Sequence, residues 1–263
     1  MSAFNPVQIR ALVFDVFGTV VDWRSSIIAE GQALSKVKAT QNLLPEIDWP
    51  AFADAWRAGY VPAMVKASTP VNDTTTPWAS IDVLHREILD DLLPRFGLES
   101  LDENERARMN LVWHRLNPWS DSVRGLRMLK SQFVISTLSN GNLSLLVNMA
   151  KHARLPWDCV LSAELARQYK PHAAVYQMAA QLLGLQPAQM LMVAAHPGDL
   201  RAAHKAGMRT AYVTRPFEHG PNPHDTPPPD ALKDDAFDLV ATDFIDLAHQ
   251  LEKPKEASPT IRR

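Results

Sequence analysis

The sequence predicts an α/β protein: a doubly wound parallel sheet with a helical segment inserted early in the chain. Three observations carry this expectation. Short apolar runs recur without the alternation of half-exposed strands, as in "ALVFDVF" (11–17), "QFVISTLSN" (132–140), "MLMVAAH" (190–196), "TAYVTRP" (210–216) and "FDLVATDF" (237–244); such runs suit strands covered on both faces. Patterns with apolar residues spaced by three and four alternate with these runs, which is the order of strand–helix–strand units. Residues 23–118 break the alternation with amphipathic helical stretches and show no convincing strand.

In chain order, the first strand ends where Asp15 follows the apolar run, and "FGT" makes a tight exit. The helical stretches "SSIIAEGQALSK", "WPAFADAWRAGYVPAMVKA", "IDVLHREILDDLLPRFG" and "LDENERARMNLVWHRL" then run to the return at "NPWSDSV" (117–123). The helices "LSLLVNMAKHA" (143–153) and "AAVYQMAAQLLG" (173–184) flank a short extended piece, "CVLSAEL". "GDLRAAHKAG" (198–207) is a short helix stopping at Gly207, a residue type that suits the position just past a helix end. A Pro-rich loop is expected at 218–235 and a frayed polar tail from residue 252. The division is therefore a Rossmann-like core of residues 1–22 and 119–263, with a helical cap domain at 23–118.

Composition narrows the function classes. The chain has 263 residues, 46% hydrophobic and 21% charged, which suits a globular protein with a sizeable core. A net charge of −2 supplies no basic field for a phosphate backbone, so nucleic acid is not an expected partner. One cysteine excludes an internal disulfide framework and a cysteine-based zinc site, and it makes the cytoplasm the default compartment. No secretory signal pattern opens the chain, and no apolar run approaches the ~18 residues of a membrane span. His85, His114, His204 and His249 are scattered without metal-ligand spacing, and the glycine patterns of nucleotide-binding loops are absent, so no metal or cofactor is expected.

Ligands of an open parallel sheet bind beyond the carboxyl ends of its strands. Asp15, Ser139, Asn140, Lys170 and Asp199 come from four separate pieces of sequence and all fall at such ends. A single acid there is as consistent with a turn or cap as with chemistry; the ordered set points to a site.

That set resembles the four motifs of the haloacid dehalogenase superfamily: "DVFGTVVD" as the first, "STLSNGN" as the second, "YKP" as the third and "VAAHPGDLRAAHKAG" as the fourth. Within the superfamily the likeness is to the L-2-haloacid dehalogenases, and it extends into the cap, where "AWRAGY" looks like their Trp-Arg element. Phosphatases of the superfamily carry a second Asp two places after the first and another acid four places before that of the fourth motif. Phe17 and Ala195 stand at these positions, removing oxygen ligands that magnesium would need. A magnesium-dependent phosphatase and a non-catalytic member remain the alternative readings.

The resemblance implies hydrolytic dehalogenation of short L-2-haloacids, haloacetates and fluoroacetate among the candidates, to 2-hydroxyacids and halide. No cofactor is implied, and a homodimer is. Asp15 would be the nucleophile, forming an ester that water cleaves. Lys170 would keep Asp15 ionised. Arg57 would meet the halide, although a helix arginine taken alone more often pairs with acids one turn away. Asp199 would position the water, a role compatible with a helix cap. Thr19, Phe17, Ser139 and Asn140 would hold the substrate, and Tyr176 matches a tyrosine near the family's site while equally suiting helix packing. Trp78, Phe52 and Trp119 are candidate walls of a dry pocket. Ala194, Ala195 and His196 replace a Ser-Ser-Asn stretch common in the family, and His196 would donate a ring N–H where an amide is usual.

Overall fold

The computed structural model describes residues 4–39, 46–68, 78–221 and 234–252. Its main sheet has six parallel strands: β1 (Ala11–Phe14), β4 (Val134–Ser139), β5 (Cys159–Ser162), β6 (Met190–Ala194), β7 (Arg209–Val213) and β8 (Leu239–Ala241). Their order is β5-β4-β1-β6-β7-β8. The chain moves outward from β1 to β5, then returns beyond β1 to continue in the other direction, so the strand order reverses beside β1. At such a reversal two crossover connections diverge and leave a crevice at the strand ends.

Burial explains the unbroken apolar runs. Every residue of β1, β6 and β7 is buried. Leu12 and Phe14 join one cluster and Val13 joins a second, so successive residues of β1 feed two cores on opposite faces. Helices α5 (Ser122–Lys130) and α9 (Phe244–Gln250) pack together on the first face. Helices α7 (Ala173–Leu183) and α8 (Pro197–Lys205) supply the second, and α6 (Leu143–Ala153) lies between β4 and β5 in the chain. Gly207 sits just past α8 at φ 90°, the conformation expected of a residue that ends a helix.

Between β2 (Val21–Asp22) and β3 (Asn117–Pro118), which pair antiparallel, lies the helical insertion. This two-rung ribbon is not apparent in the sequence, because two residues carry no periodicity. The insertion holds α1 (Trp23–Ala39), α2 (Trp49–Ser68), α3 (Ile81–Leu92) and α4 (Glu103–Asn110). Its interior is aromatic: Phe52 meets Trp49, Trp56 and Phe96 edge-on at 5.2–5.5 Å. Two of its expected helices are shorter than their patterns. The α-helical part of α3 stops at Leu92 and a 3-10 turn containing Pro94 follows, since proline has no N–H to continue the helical ladder. The last pattern divides into α4 and a 3-10 turn at Leu111–Arg115.

The run at 237–244 is also shorter as a strand than expected. Asp243 caps α9, its Oδ1 accepting from the N–H groups of Ile245 and Asp246 at 2.8 and 2.7 Å, so strand pairing ends at Ala241. The expected loop at 218–235 and tail from 252 fall mostly outside the described residues. Among the described residues, no helix is long and apolar enough to cross a membrane.

Candidate active site

Register fixes where the site forms. Phe14 is level with Thr137 of β4 and Val193 of β6, so the residues that follow these strands emerge on one rim. Asp15 leaves β1 at the centre with its N–H still bonded to the Val193 carbonyl at 3.0 Å. The next turn requires Gly18 at φ 80°. Arg215, reaching over from beyond β7, donates to the Thr19 carbonyl at 2.8 Å and pairs with Asp121 through two bonds of 2.8 and 3.0 Å, which pins this turn to the core.

Four groups converge on Asp15 and Asp199. Lys170 places its Nζ 3.0 Å from Asp15 Oδ1 and 2.5 Å from Asp199 Oδ2. Thr19 donates its hydroxyl to Asp15 Oδ2 at 2.8 Å and accepts from the Ala195 N–H at 2.9 Å. His196 Nδ1 lies 2.9 Å from the same Oδ2. Tyr176 donates to Asp199 Oδ1 at 2.6 Å. Asn140 accepts from the Lys170 N–H at 2.7 Å through Oδ1, so the second motif fixes the backbone that carries the lysine.

The charges are tuned mutually. Burial opposes ionisation of Asp15, but the Lys170 ammonium and His196 outweigh it and hold the carboxyl well below the usual carboxylate range. Burial disfavours the Lys170 ammonium, yet the flanking carboxylates of Asp15 and Asp199 keep it protonated beyond the ordinary lysine range. Asp199 is pushed up, chiefly by burial, despite the adjacent ammonium.

A cavity of about 290 Å³ opens over these groups. The core rim gives it a polar floor of Asp15, Lys170, His196 and Asp199, with Asn140 beside them. Helix α2 gives it a roof of Arg57, Tyr60, Val61 and Met64, and Phe17 joins the apolar side. Arg57 lies with its guanidinium carbon 4.6 Å from the Tyr60 ring centroid and 5.7 Å from that of Trp23. Its buried Nη1 has no hydrogen-bond partner, and among the described residues Arg57 makes no ion pair. A buried guanidinium N–H without an acceptor beside a small cavity is a donor open to a ligand.

Several residues expected at the site lie elsewhere or act indirectly. Thr19, Ser139 and Tyr176 do not line the cavity. Thr19 and Tyr176 reach it through Asp15 and Asp199, whereas the Ser139 hydroxyl is buried and accepts from the Gly141 N–H at 3.3 Å. Trp78, Phe52 and Trp119 are not walls of the cavity either. Trp78 packs at a tilt against the Tyr169 ring, Phe52 fills the interior of the insertion, and Trp119 donates to the Gly18 carbonyl at 2.8 Å. Large rings at sequence positions near a site are recruited first by packing, which buries more of their area than a cavity edge would.

Two groups of residues escaped sequence reasoning. Tyr60, Val61 and Met64 follow Arg57 by three, four and seven places, so they share its helix face; taking Arg57 as a reference would have found them. Glu218 offers no such signal. It follows β7 at the start of a Pro-rich stretch, yet it is 4% exposed, and His196 Nε2 lies 3.1 Å from each of its carboxylate oxygens. Trp23 donates to its Oε1 at 3.1 Å.

A parallel sheet with an acid at the end of its central strand, a lysine bridging that acid to a second, and a helical insertion closing over both defines a hydrolase class. The chain belongs to the haloacid dehalogenase-like hydrolase family, whose description matches residues 9–207. Among solved structures it is similar to the defluorinating L-2-haloacid dehalogenase Rha0230, with 43% identity, a TM-score of 0.81, and coverage of 92% of this chain and 95% of that one. It is also similar to the L-2-haloacid dehalogenase of Xanthobacter autotrophicus with chloropropionic acid covalently bound, at 25% identity and a TM-score of 0.72, covering 92% of this chain and 98% of that one. A curated relative, (S)-2-haloacid dehalogenase 4A of Burkholderia cepacia, is 28% identical over 223 residues, 79% of this chain and 84% of the relative.

Proposed function

We propose that the protein hydrolyses short L-2-haloacids to 2-hydroxyacids and halide through an ester on Asp15. The observation that carries this reading is the opposition of two groups across one small cavity: an ionised carboxylate below and, above, a guanidinium whose buried Nη1 has no partner. Asp15 attacks the halogen-bearing carbon, and Lys170 keeps the carboxylate charged and aimed. Thr19 fixes its second oxygen. Arg57, on the roof, stabilises the departing halide, where negative charge grows in the transition state. Asn140 lines the floor and is available to the substrate carboxylate. Asp199, itself bonded by the Tyr176 hydroxyl, holds the ammonium from its other side.

The helical insertion serves as a cap, because only α2 brings Arg57 and the apolar roof. A cap that excludes water strengthens each of these interactions. The relatives act on the same substrate class by name, including one described as defluorinating and one with chloropropionic acid covalently bound. A small cavity suits two- and three-carbon acids. A cytoplasmic setting accords with the single free cysteine, Cys159.

The test is halide release from chloroacetate, fluoroacetate and both enantiomers of 2-chloropropionate, followed by a single turnover in heavy-oxygen water. The expected outcome is release from the S enantiomer, label on Asp15, and no turnover by Asp15→Asn, because an amide is a poor nucleophile. Absence of halide from every substrate, or turnover without label on Asp15, defeats the proposal.

A further inference from the structure

We infer that His196, oriented by Glu218, is the general base that activates water to cleave the Asp15 ester, with Glu218 a positioning residue. The inference rests on the ester mechanism proposed above. Its geometry is that of a nucleophile, a base beside it and a third group holding the base. Nδ1 of His196 faces Asp15 Oδ2 at 2.9 Å, and Nε2 faces both oxygens of Glu218 at 3.1 Å. The water that cleaves the ester must attack the Asp15 carboxyl carbon, so a ring nitrogen beside that carboxyl is placed to take its proton. A third of the His196 side chain is exposed, and His196 lines the cavity from which the water comes.

Asp199, which the sequence suggested for the water, is less well placed. Tyr176 occupies one of its oxygens and Lys170 the other, and its connection to Asp15 runs through the ammonium. Glu218 is built into the site. It is buried, bonded to the Trp23 indole, and packed so tightly over the turn at Gly18 that a Cβ there would lie 2.0 Å from its Oε1.

The proton balance closes. Before reaction, ionised carboxylates at both ends of the ring accept only, so both nitrogens carry hydrogen and His196 is an imidazolium. Burial pushes the ring toward neutrality, but Glu218 and Asp15 raise it to about 10. Lys170 and Arg57 are the other charges facing this group, the first on Asp15 and the second toward Glu218. Ester formation breaks the carbon–halogen bond, the halide leaves with the electron pair, and the Asp15 charge disappears. The ring has lost one of its two anions, so Nδ1 releases its proton to solvent, while Glu218 retains the Nε2 hydrogen. Water then adds its oxygen to the Asp15 carboxyl carbon and gives a proton to Nδ1. The bond from that carbon to the alkyl oxygen breaks, and the hydroxyl proton on the carbon passes to the departing alkoxide. Asp15 is again a carboxylate and His196 again an imidazolium. The sum is haloacid plus water giving hydroxyacid, halide and one proton.

The test uses the full chain with (S)-2-chloropropionate. Rapid-quench halide release reports ester formation, and intact mass reports the ester on Asp15. In His196→Asn the halide burst is expected within about threefold of wild type, while ester decay slows about 100-fold and the ester accumulates. Glu218→Gln, which keeps the ring, is expected to slow ester decay about tenfold. It should also move the rising limb of its pH profile to lower pH, because the ring then lacks its remaining anion; a purely structural role would not move that limb. Equal slowing of both half-reactions in the two variants, loss of the burst in both, absence of accumulated ester, or an unmoved limb overturns the inference. A wild-type enzyme that releases no halide from any haloacid defeats the ester mechanism itself, and is distinguished by preceding any variant.

Discussion

Gly18→Ala tests how the turn after Asp15 is coupled to Glu218. Gly18 has φ 80°, where an L-residue costs about 1 kcal/mol. The new Cβ would stand 2.0 Å from Glu218 Oε1, 2.4 Å from its Cδ and 2.9 Å from Oε2, so the carboxylate must retract. Retraction breaks its bonds to His196 Nε2 and Trp23 Nε1, all at 3.1 Å. A hydrogen bond to a charged group is worth about 1.5–3 kcal/mol, so losing two at the lower figure costs about 3 kcal/mol. The expected loss is about 4 kcal/mol in wild type, backbone and bonds together, but only about 1 kcal/mol in a Glu218→Ala background, where no carboxylate is displaced. Urea unfolding of the wild type, the two single variants and the double variant measures both figures. Equal losses in the two backgrounds would refute the coupling and leave only backbone strain.

Three further outcomes are expected. Arg57→Met should lower kcat about 100-fold in steady-state halide release, with the larger loss for fluoroacetate than for bromoacetate, since fluoride concentrates more charge as it leaves; a change confined to KM would remove Arg57 from the transition state. Phe17→Asp should not create a magnesium-dependent phosphatase. Phe17 is 3% exposed among the rings of Trp113, Tyr60 and His85, where a carboxylate costs several kcal/mol, and the Lys170 ammonium already stands between the two acids. Efficient phosphate release from a phosphomonoester by that variant would contradict this. Thermal melting should show the His196 charge directly. Its proton is held more tightly when folded, up to about 10, than the ordinary 6.5, so its stabilisation is complete below about pH 6.5 and declines as pH rises toward 10. Melting temperature should therefore fall more steeply across that window in wild type than in His196→Asn; parallel slopes would show that the ring carries no such charge.

The division between what the sequence disclosed and what it did not follows the range of the interactions. The strand runs were legible because burial on both faces of a parallel sheet leaves an uninterrupted apolar signature, and the helix over 143–153 matches α6 residue for residue. The rim residues were legible because strand ends are marked by the transition from apolar to polar, and Asp15, Asn140, Lys170, His196 and Asp199 do converge on one cavity. The β2–β3 ribbon was not, since each strand is two residues and is defined by a distant partner, Val21 pairing with Pro118 and Asp22 with Asn117. The large aromatics misled because their sequence position says nothing of whether a ring faces a cavity or a core: Phe52 and Trp56 are both fully buried, although Arg57 beside them reaches the site.

Glu218 is the instructive omission, because charge balance makes its presence intelligible once His196 is in place. An imidazole beside Asp15, where the resemblance leads one to expect an amide, introduces a group whose protonated form the carboxylate stabilises. A half-buried imidazolium whose inward N–H found no acceptor would leave a donor unsatisfied. An acid at its far side removes that cost and fixes the ring plane, and Glu218 supplies it from beyond β7, 22 residues downstream of His196. The cavity region then carries three acids, Asp15, Asp199 and Glu218, and three cations, Lys170, His196 and Arg57. Lys170 and His196 make ion pairs within the protein, whereas Arg57 makes none among the described residues, although it faces Glu218. The buried Nη1 of Arg57, without an acceptor on the side of the cavity across from Asp15, is the donor that the proposed reaction would present to the departing halide.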